Sequence, residues 1–443
     1  MRGYNSTEND FAREGDWPWP TGMKWASIVP LIGGETIAME KVFGKRPAYM
    51  MSYREFANND KHIVEHYRKQ CSDPEDGRNY VPYYILENKH KNGFIWHGQQ
   101  QGEGPPEEMN GRYVDVMNTI CPCAGLSSLS TTPSGQSEIN DYMVKTAKYV
   151  LENIGPKVLW GENAPRLATK LGEPVVKKLR ALAKKNGYTL SLYKTKSLLH
   201  GLSQVRDRSF YFFWKGDSVP MFDWYDRPNE RIEDTIRNVK RDPTDPMSAL
   251  VNTKTPSKDD LYYKYVLEVI HNGMSHNDFQ KTLKKSCNVQ GYIEEHSNYN
   301  DYADWLETFG ETKQAEKARA MYKKLSVKGT NIMRRTSEIP ADYIGAFVGH
   351  MPMNLTHPDE DRYLTYRECM AIMKLPEDFN MIDPKKNLNH LCQNVPVTTA
   401  MDMAYNIKRF LYGRSEMIYD DFVIQCNKSH TIQTTPNTLD KFL

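Results

Sequence analysis

Between positions 25 and 214 the chain repeats one pattern: an apolar run of strand length, a turn, then a segment with helical spacing. "WASIVPLIGGETIAMEKVFG" reads as a buried strand, a Gly-Gly turn and a helix, and "RPAYMMSYREF" as the next strand, which makes a β-α-β unit. Next come the strand "YVDVMNTI", the helix "INDYMVKTAKYVLENI", the strand "KVLWGEN", the basic helix "EPVVKKLRALAKKNG" and the paired strands "YTLSLYKT" and "RSFYFFW". Parallel neighbours need a crossover, so this alternation predicts an α/β fold: a parallel-rich, doubly wound sheet with helices on both faces. In such a sheet ligands are met at the carboxyl ends of the strands.

Two stretches interrupt the pattern. Residues 71–111, with "GQQQGEGPPEE" among them, have the composition of a surface excursion. Over 215–350 proline and charge rise, tyrosines cluster, and helix-like stretches such as "DDLYYKYVLEVIHNG" and "KQAEKARAMYKKL" replace the β-α rhythm. The earlier style returns with "YLTYRECMAIMKLPEDF", a helix stopped before Pro376, and "VPVTTAMDMAYNIKRFL". A chain of 443 residues is too long for one core of ordinary size. The pattern therefore predicts a main lobe built from 1–214 and completed by 351–443, with 215–350 as a smaller insertion.

Charge and cysteine usage narrow the chemistry less. A formal net charge of +2 and a pI near 8.0 neither demand nor exclude a polyanionic partner. Seven irregularly scattered cysteines in so long a chain argue against a disulfide framework and for reduced thiols. No metal-ligand spacing accompanies them, which predicts no metal. The polar start "MRGYNSTENDFAREGDW" lacks the apolar stretch of a signal peptide, and the apolar runs are short and broken by charge. These features predict a soluble, cytoplasmic protein with no membrane association. No heptad or long amphipathic stretch points beyond a monomer.

The residues with a chemical use follow the strands. "VDVMNTICPCAGLSSLS" ends a strand in Cys-Pro-Cys and runs into a small-residue loop. Cys123, behind Pro122, is the side chain delivered beyond the strand and the candidate nucleophile, whereas Cys121 belongs to the apolar run and reads as packing. "VLWGENAP" delivers Glu162 and Asn163 to the same edge. "GLSQVRDRSF" places Arg206 and Arg208 two apart, on one face of an extended segment that leads into apolar "FYFF".

Taken in order, these resemble the cytosine-5 DNA methyltransferase family, from position 28 to about 405 apart from the insertion. The motifs are the Gly33-Gly34 turn, Glu55 after the second strand, Pro122-Cys123, Glu162-Asn163, Gln204-x-Arg206-x-Arg208, Arg362-x-Leu364-Thr365-x-Arg367-Glu368 and Val395-Pro396. The resemblance implies a Rossmann-like methyltransferase sheet with an inserted target-recognition domain at 215–350. It implies S-adenosylmethionine as donor, double-stranded DNA as partner and a bacterial or phage-infected cell as setting. By resemblance the Cys123 thiolate adds to cytosine C6, and Glu162 contacts N3 and the exocyclic amine as a protonated acid or by sharing a proton. Arg208 contacts O2, Arg206 holds the site or a backbone phosphate, and Asn163 fixes the loop. Donor contacts fall to Ile32, Gly33, Gly34, Glu55, Phe56, Gln393 and Asn394. The loop "AGLSSLSTTPSGQS" suits closure over a flipped base, and the basic groups "KTLKKS", "KARAMYKKLSVKG" and "MRR" suit phosphates.

The chain departs from its relatives on the donor side. The family's Phe-x-Gly-x-Gly-Gly reads Val29-Pro30-Leu31-Ile32-Gly33-Gly34. The acidic residue near the third strand is replaced at best by Gln99. The Gly-Asn pair of the last motif aligns with Cys392 and Gln393, with Asn394 beside them. A modified donor such as a carboxylated analogue, a tRNA cytosine methyltransferase and an inactive DNA-binding relative are the alternatives.

Overall fold

The computed structural model describes residues 22–70, 81–90, 93–98, 113–122, 125–127, 134–135, 137–276, 278, 298–326, 342–347, 349 and 351–434. Ten strands form one sheet: β1 (Trp25–Ile28), β2 (Met50–Tyr53), β3 (Tyr83–His90), β4 (Gly93–Gly98), β5 (Val116–Ile120), β6 (Val158–Asn163), β7 (Tyr188–Lys196), β8 (Asp207–Lys215), β9 (Phe422–Cys426) and β10 (Thr431–Gln433). Their spatial order is β10-β9-β7-β8-β6-β5-β1-β2-β3-β4. The run β6-β5-β1-β2-β3 is parallel throughout. From β1 the chain first builds outward through β2 and β3, then returns to lay β5 and β6 on the other side. The order thus reverses between β1 and β5, where a doubly wound sheet opens a crevice for ligands.

Helices cover this sheet for local reasons. The helix α1 (Gly34–Phe43) follows β1, α2 (Ala57–Lys69) follows β2, α3 (Asp141–Asn153) follows β5 and α4 (Glu173–Lys185) follows β6. In α4, Val175, Val176, Leu179 and Ala183 are buried on one stripe while Lys177, Lys178, Lys184 and Lys185 face water. Within the sheet, Trp160 of β6 stacks on Phe212 of β8 at 5.9 Å and nearly parallel.

Later helices complete the body: α5 (Tyr299–Thr308), α6 (Thr312–Ser326), α7 (Tyr366–Ile372), α8 (Pro384–Gln393) and α9 (Val397–Leu411). The start of α7 carries a capping box between Thr365 and Glu368. Buried Lys408 of α9 donates to the Val42 carbonyl at 2.9 Å, a cation at the carboxyl end of α1. Residues 366–411 therefore belong to the main core.

Three sequence expectations need correction. Part of the polar stretch 71–111 is no excursion, because β3 pairs with β2 in parallel and β4 turns back on β3 as the sheet edge. The strand β9, unassigned from sequence, inserts parallel to β7 with all five residues buried. Finally, "DDLYYKYVLEVIHNG" is not one helix. The Asp260 carboxylate accepts from the N–H groups of Tyr262 and Tyr263, which starts a fresh turn at Leu261–Tyr265, and Val266–Ile270 then winds as a π-turn.

Tyr262, Tyr263, Tyr265, Tyr302 and Leu306, with Ala315 and Ala318 of α6, form a core of their own. Val219, Phe222, Ile232, Ile236, Met247 and Val251 instead join the main core. Among the described residues no helix is long and apolar enough to cross a membrane.

The contact between α2 and α8 carries a pH dependence. The Ile382 N–H donates to His62 Nδ1 at 3.0 Å, so the ring proton of His62 lies on Nε2 and points to His390 Nδ1, also at 3.0 Å. A second proton on His62 breaks the Ile382 contact. Burial holds His62 down at about 3, with His390 and Lys61 adding repulsion, and burial lowers His390 as well. In the unfolded chain an imidazole takes its proton near pH 6.5, so stability from His62 is full above that pH and is lost as pH falls from there toward 3. We expect His62→Gln to remove on the order of 3 kcal/mol of acid sensitivity between pH 7 and 4, read as the difference in urea midpoints between variant and wild type. Equal pH slopes in the two proteins would refute this role. The difference is the proper readout because buried Asp60, pushed up to about 7, titrates with the opposite sign.

Candidate active site

The crevice between β1 and β5 is met by two connections. After β1 come residues 29–33 and α1. After β5 come Cys121 and Pro122, then Cys123, which lies outside the described residues. Cys121 is buried, with its sulfur 3.5 Å from the Thr119 hydroxyl, and burial pushes its thiol up, so it is held as a neutral packing group. On the neighbouring strand, Glu162 and Asn163 end β6. The Asn163 amide donates to the Cys121 carbonyl at 3.4 Å, and its oxygen accepts the Ala164 N–H at 2.9 Å. That side chain ties the turn after β6 to the turn after β5.

Strand direction brings the arginine to the same edge. Because β8 runs antiparallel to β6, its first residues lie beside the last residues of β6, with Asn163 opposite Ser209 and Glu162 opposite Phe210. The Arg208 guanidinium reaches the Glu162 carboxylate as an ion pair of two largely buried side chains. Arg206 does not share that face. The strand breaks at Arg206, between the short stretch Gln204–Val205 and β8, so the two-residue period fails there. Arg206 is 3% exposed and its guanidinium donates to the Cys392 carbonyl at 2.9 Å, joining this segment to the end of α8.

On the other side of the crevice the turn 29–34 is clasped by distant segments. Gly33 has a φ of +104°. A Cβ on Gly34 would stand 2.0 Å from the Val395 carbonyl and 2.4 Å from the Asn394 amide oxygen, so only glycine fits. The Gly34 N–H donates to that oxygen at 3.0 Å. Asn394 therefore holds the turn, while Gln393 at the surface accepts from Asn59 at 2.9 Å. Ile32 is buried. Val29 and Leu31 carry φ values of +53° and +50°. Left-handed backbone costs a side-chain-bearing residue about 1–2 kcal/mol, and neither has a polar side chain to ease it. Beyond β2, Glu55 accepts from the Tyr142 hydroxyl at 3.1 Å, and Phe56 packs edge-on against the Tyr142 ring.

Two acids lie beneath this surface that sequence reasoning did not single out. Glu35, fully buried in the first turn of α1, accepts from Asn118 at 3.3 Å. Burial, with Glu162 nearby, pushes its carboxyl well above the usual range. Asp60 of α2 accepts from the Tyr83 hydroxyl at 2.8 Å. A carboxylate in each helix's first turn was visible, yet the same pattern is commonly a solvated helix start.

The sequence profile of the C-5 cytosine-specific DNA methylases matches residues 79–409, three quarters of the chain. The chain belongs to that family. It is therefore a methyltransferase with a Rossmann-like sheet. No match was found among curated proteins. Solved structures with a similar chain path include a prophage-encoded DNA modification methyltransferase of E. coli (14% identity, TM-score 0.47, 88% of this chain and 100% of that one). Two others are the Entamoeba histolytica methyltransferase EhMeth (12%, 0.43, 88% and 98%) and the S. pombe Dnmt2 methyltransferase (10%, 0.44, 88% and 99%).

Within this methylase the late motif is scaffold. The Arg362 guanidinium spans both oxygens of Glu368, and Arg367 spans Asp245 and donates to the Phe379 carbonyl. It fastens α7 to the segment around Asp245. Gln99, the groups 281–286 and 333–335, and most of the loop after Cys123 lie outside the described residues.

Proposed function

We propose that this chain transfers a methyl group from S-adenosylmethionine to C5 of a cytosine flipped out of duplex DNA, through a covalent adduct on Cys123. The observation that carries the reading is the Glu162–Arg208 pair. An acid and a guanidinium held side by side at the carboxyl end of β6 match the N3 and O2 positions of one pyrimidine edge. Cytosine C5 is too weak a nucleophile unaided, so the ring needs covalent activation. The Cys123 sulfur bonds to C6. Glu162 places or shares a proton at N3, and Arg208 donates to O2, which together neutralise the charge that enters the ring. C5 then takes the methyl group, a base removes the C5 proton, and the returning electron pair expels the thiolate. Arg206 and Asn163 act as positioning residues through Cys392 and Cys121.

The donor-side residues fit S-adenosylmethionine. Glu55 lies in the short turn that follows the second strand, where an acid meets ribose hydroxyls, Phe56 offers a ring face, and Gly33 and Gly34 open α1 without a side-chain cap. When bound, that group supplies an electrophilic methyl. The target atom is inaccessible in a stacked duplex, hence the flipped base. We assign target reading to 215–350, in which Lys313, Lys317 and Lys323 of α6 are exposed, and expect the enzyme to act as a monomer.

Incubation with methyl-labelled S-adenosylmethionine and either duplex DNA or tRNA tests the reading. The expected result is label recovered as 5-methylcytosine from DNA. Label confined to tRNA, transfer only from a carboxylated donor, or DNA binding without transfer would each replace it by the corresponding alternative.

A further inference from the structure

The turn Pro165–Ala168 follows β6 directly, just past the Glu162 and Asn163 that end that strand. Side-chain contacts fix it on two flanks. On the β8 side, the hydroxyl of Ser209, next to Arg208, donates to the Pro165 carbonyl at 3.2 Å. On the β5 side, the Asn163 amide donates to the Cys121 carbonyl, and the Arg166 guanidinium donates to the Ser127 carbonyl at 3.1 Å. Arg166 therefore stands at the carboxyl end of β6, on the strand end that carries the Glu162–Arg208 pair, beside the segment that follows β5. Its charge is not spent there. Arg208 faces Glu162 and Arg180 faces Asp421, but among the described residues no carboxylate stands within ion-pair distance of Arg166. The residue is half-buried, and of the five N–H groups in its planar fork the Ser127 carbonyl occupies one. Arg206, the other arginine that the sequence offered for a backbone phosphate, is turned away: it is buried against the Cys392 carbonyl.

We propose that Arg166 binds the backbone phosphate of the flipped nucleotide, keeping the Ser127 carbonyl on one N–H and taking phosphate oxygens with the others. This rests on the reading of the Glu162–Arg208 pair as the cytosine site. A base and its own phosphate are one sugar apart, and Arg166 follows Glu162 by four residues on the same strand end, so one nucleotide can meet both. The phosphate then supplies the anion that the fold does not. Arginine suits this double contact because its fork is planar and always charged, whereas lysine offers a point charge. A phosphate contact positions the nucleotide and carries no sequence information, so Arg166 serves any target and base reading stays elsewhere.

The salt dependence of methyl transfer by the full chain to long unmethylated duplex DNA tests this, because kcat/KM reports only complexes in which a cytosine is held. Arg166→Gln keeps an N–H donor for the Ser127 carbonyl but has no charge. It is expected to lower kcat/KM about ten-fold, the value of a hydrogen bond to a charged group, and to make the slope of log kcat/KM against log salt shallower by about one, the value of one phosphate. Arg166→Lys keeps the charge and therefore the wild-type slope. Binding of Arg166→Gln to cytosine-free poly(dA)·poly(dT), where no target is flipped, is expected to show the wild-type slope. A wild-type slope of kcat/KM in Arg166→Gln, or a slope in Arg166→Lys as shallow as in Arg166→Gln, overturns the proposal alone. So does an equal loss of slope on poly(dA)·poly(dT), which would make Arg166 a general backbone contact. Absence of transfer to DNA by wild type overturns the cytosine reading and this inference with it. Affinity for S-adenosylhomocysteine reports the fold of each variant, and where Arg166→Gln fails that control, Arg166→Met carries the same slope measurement.

Discussion

Cys123→Ser is expected to reduce methyl transfer by at least about a thousand-fold, because a serine hydroxyl offers almost no anion at neutral pH to add to C6. The same substitution gives a yes-or-no result on DNA carrying 5-fluorocytosine. Once the methyl group is on C5, fluorine occupies the place of the proton that a base would remove, so the enzyme stays bound to the ring. Wild type is expected to form an adduct stable to denaturant, and Cys123→Ser none. The control is Cys121→Ser. The Cys121 thiol is buried and pushed up by that burial, so its loss should leave the adduct intact. An adduct that persists without the Cys123 sulfur would refute the assignment.

Asp402→Ala should be the most destabilising single change in the main core. Its fully buried carboxylate accepts from His200 Nδ1 at 2.6 Å and pairs with Arg227 at 2.7 Å, while His200 Nε2 meets the Thr195 hydroxyl at 2.6 Å. Removal leaves a buried imidazole and a largely buried guanidinium without their acceptor, which costs about 3–5 kcal/mol. Urea unfolding followed by tryptophan fluorescence measures it, and a change below about 1 kcal/mol would show that this network contributes little. The loss should also reach the active site. Thr195 lies opposite Arg208 in the register of β7 and β8, so slackening around His200 loosens the strand that presents the guanidinium to Glu162.

The juxtaposition at this strand end was partly legible in the sequence. A carboxylate ending one apolar run and a basic residue opening another are local patterns, and they meet as the Glu162–Arg208 pair. Alternating apolar runs and helical periods state which residues are buried, and burial dictates where each strand ends. The roles within the arginine pair were less legible. Spacing by two puts Arg206 and Arg208 on one face only if the strand is continuous, and its break at Arg206 sends one guanidinium to Glu162 and the other to the Cys392 carbonyl. The edge strands β3 and β4 were hidden because their surroundings are polar. The strand β9 was hidden because five residues carry too little periodicity to announce a place between β7 and β10.

The division has a physical origin. Sequence alone determined the doubly wound sheet and the residue types at the carboxyl ends of its strands, since these follow from periodicity over a few neighbours. Tertiary structure decided what holds them there: Asn394 on the Gly34 N–H across 360 positions and Lys408 on the carboxyl end of α1. Such contacts join residues with no local relation, and their strength depends on burial and hydrogen-bond geometry that exist only once the chain has closed on itself.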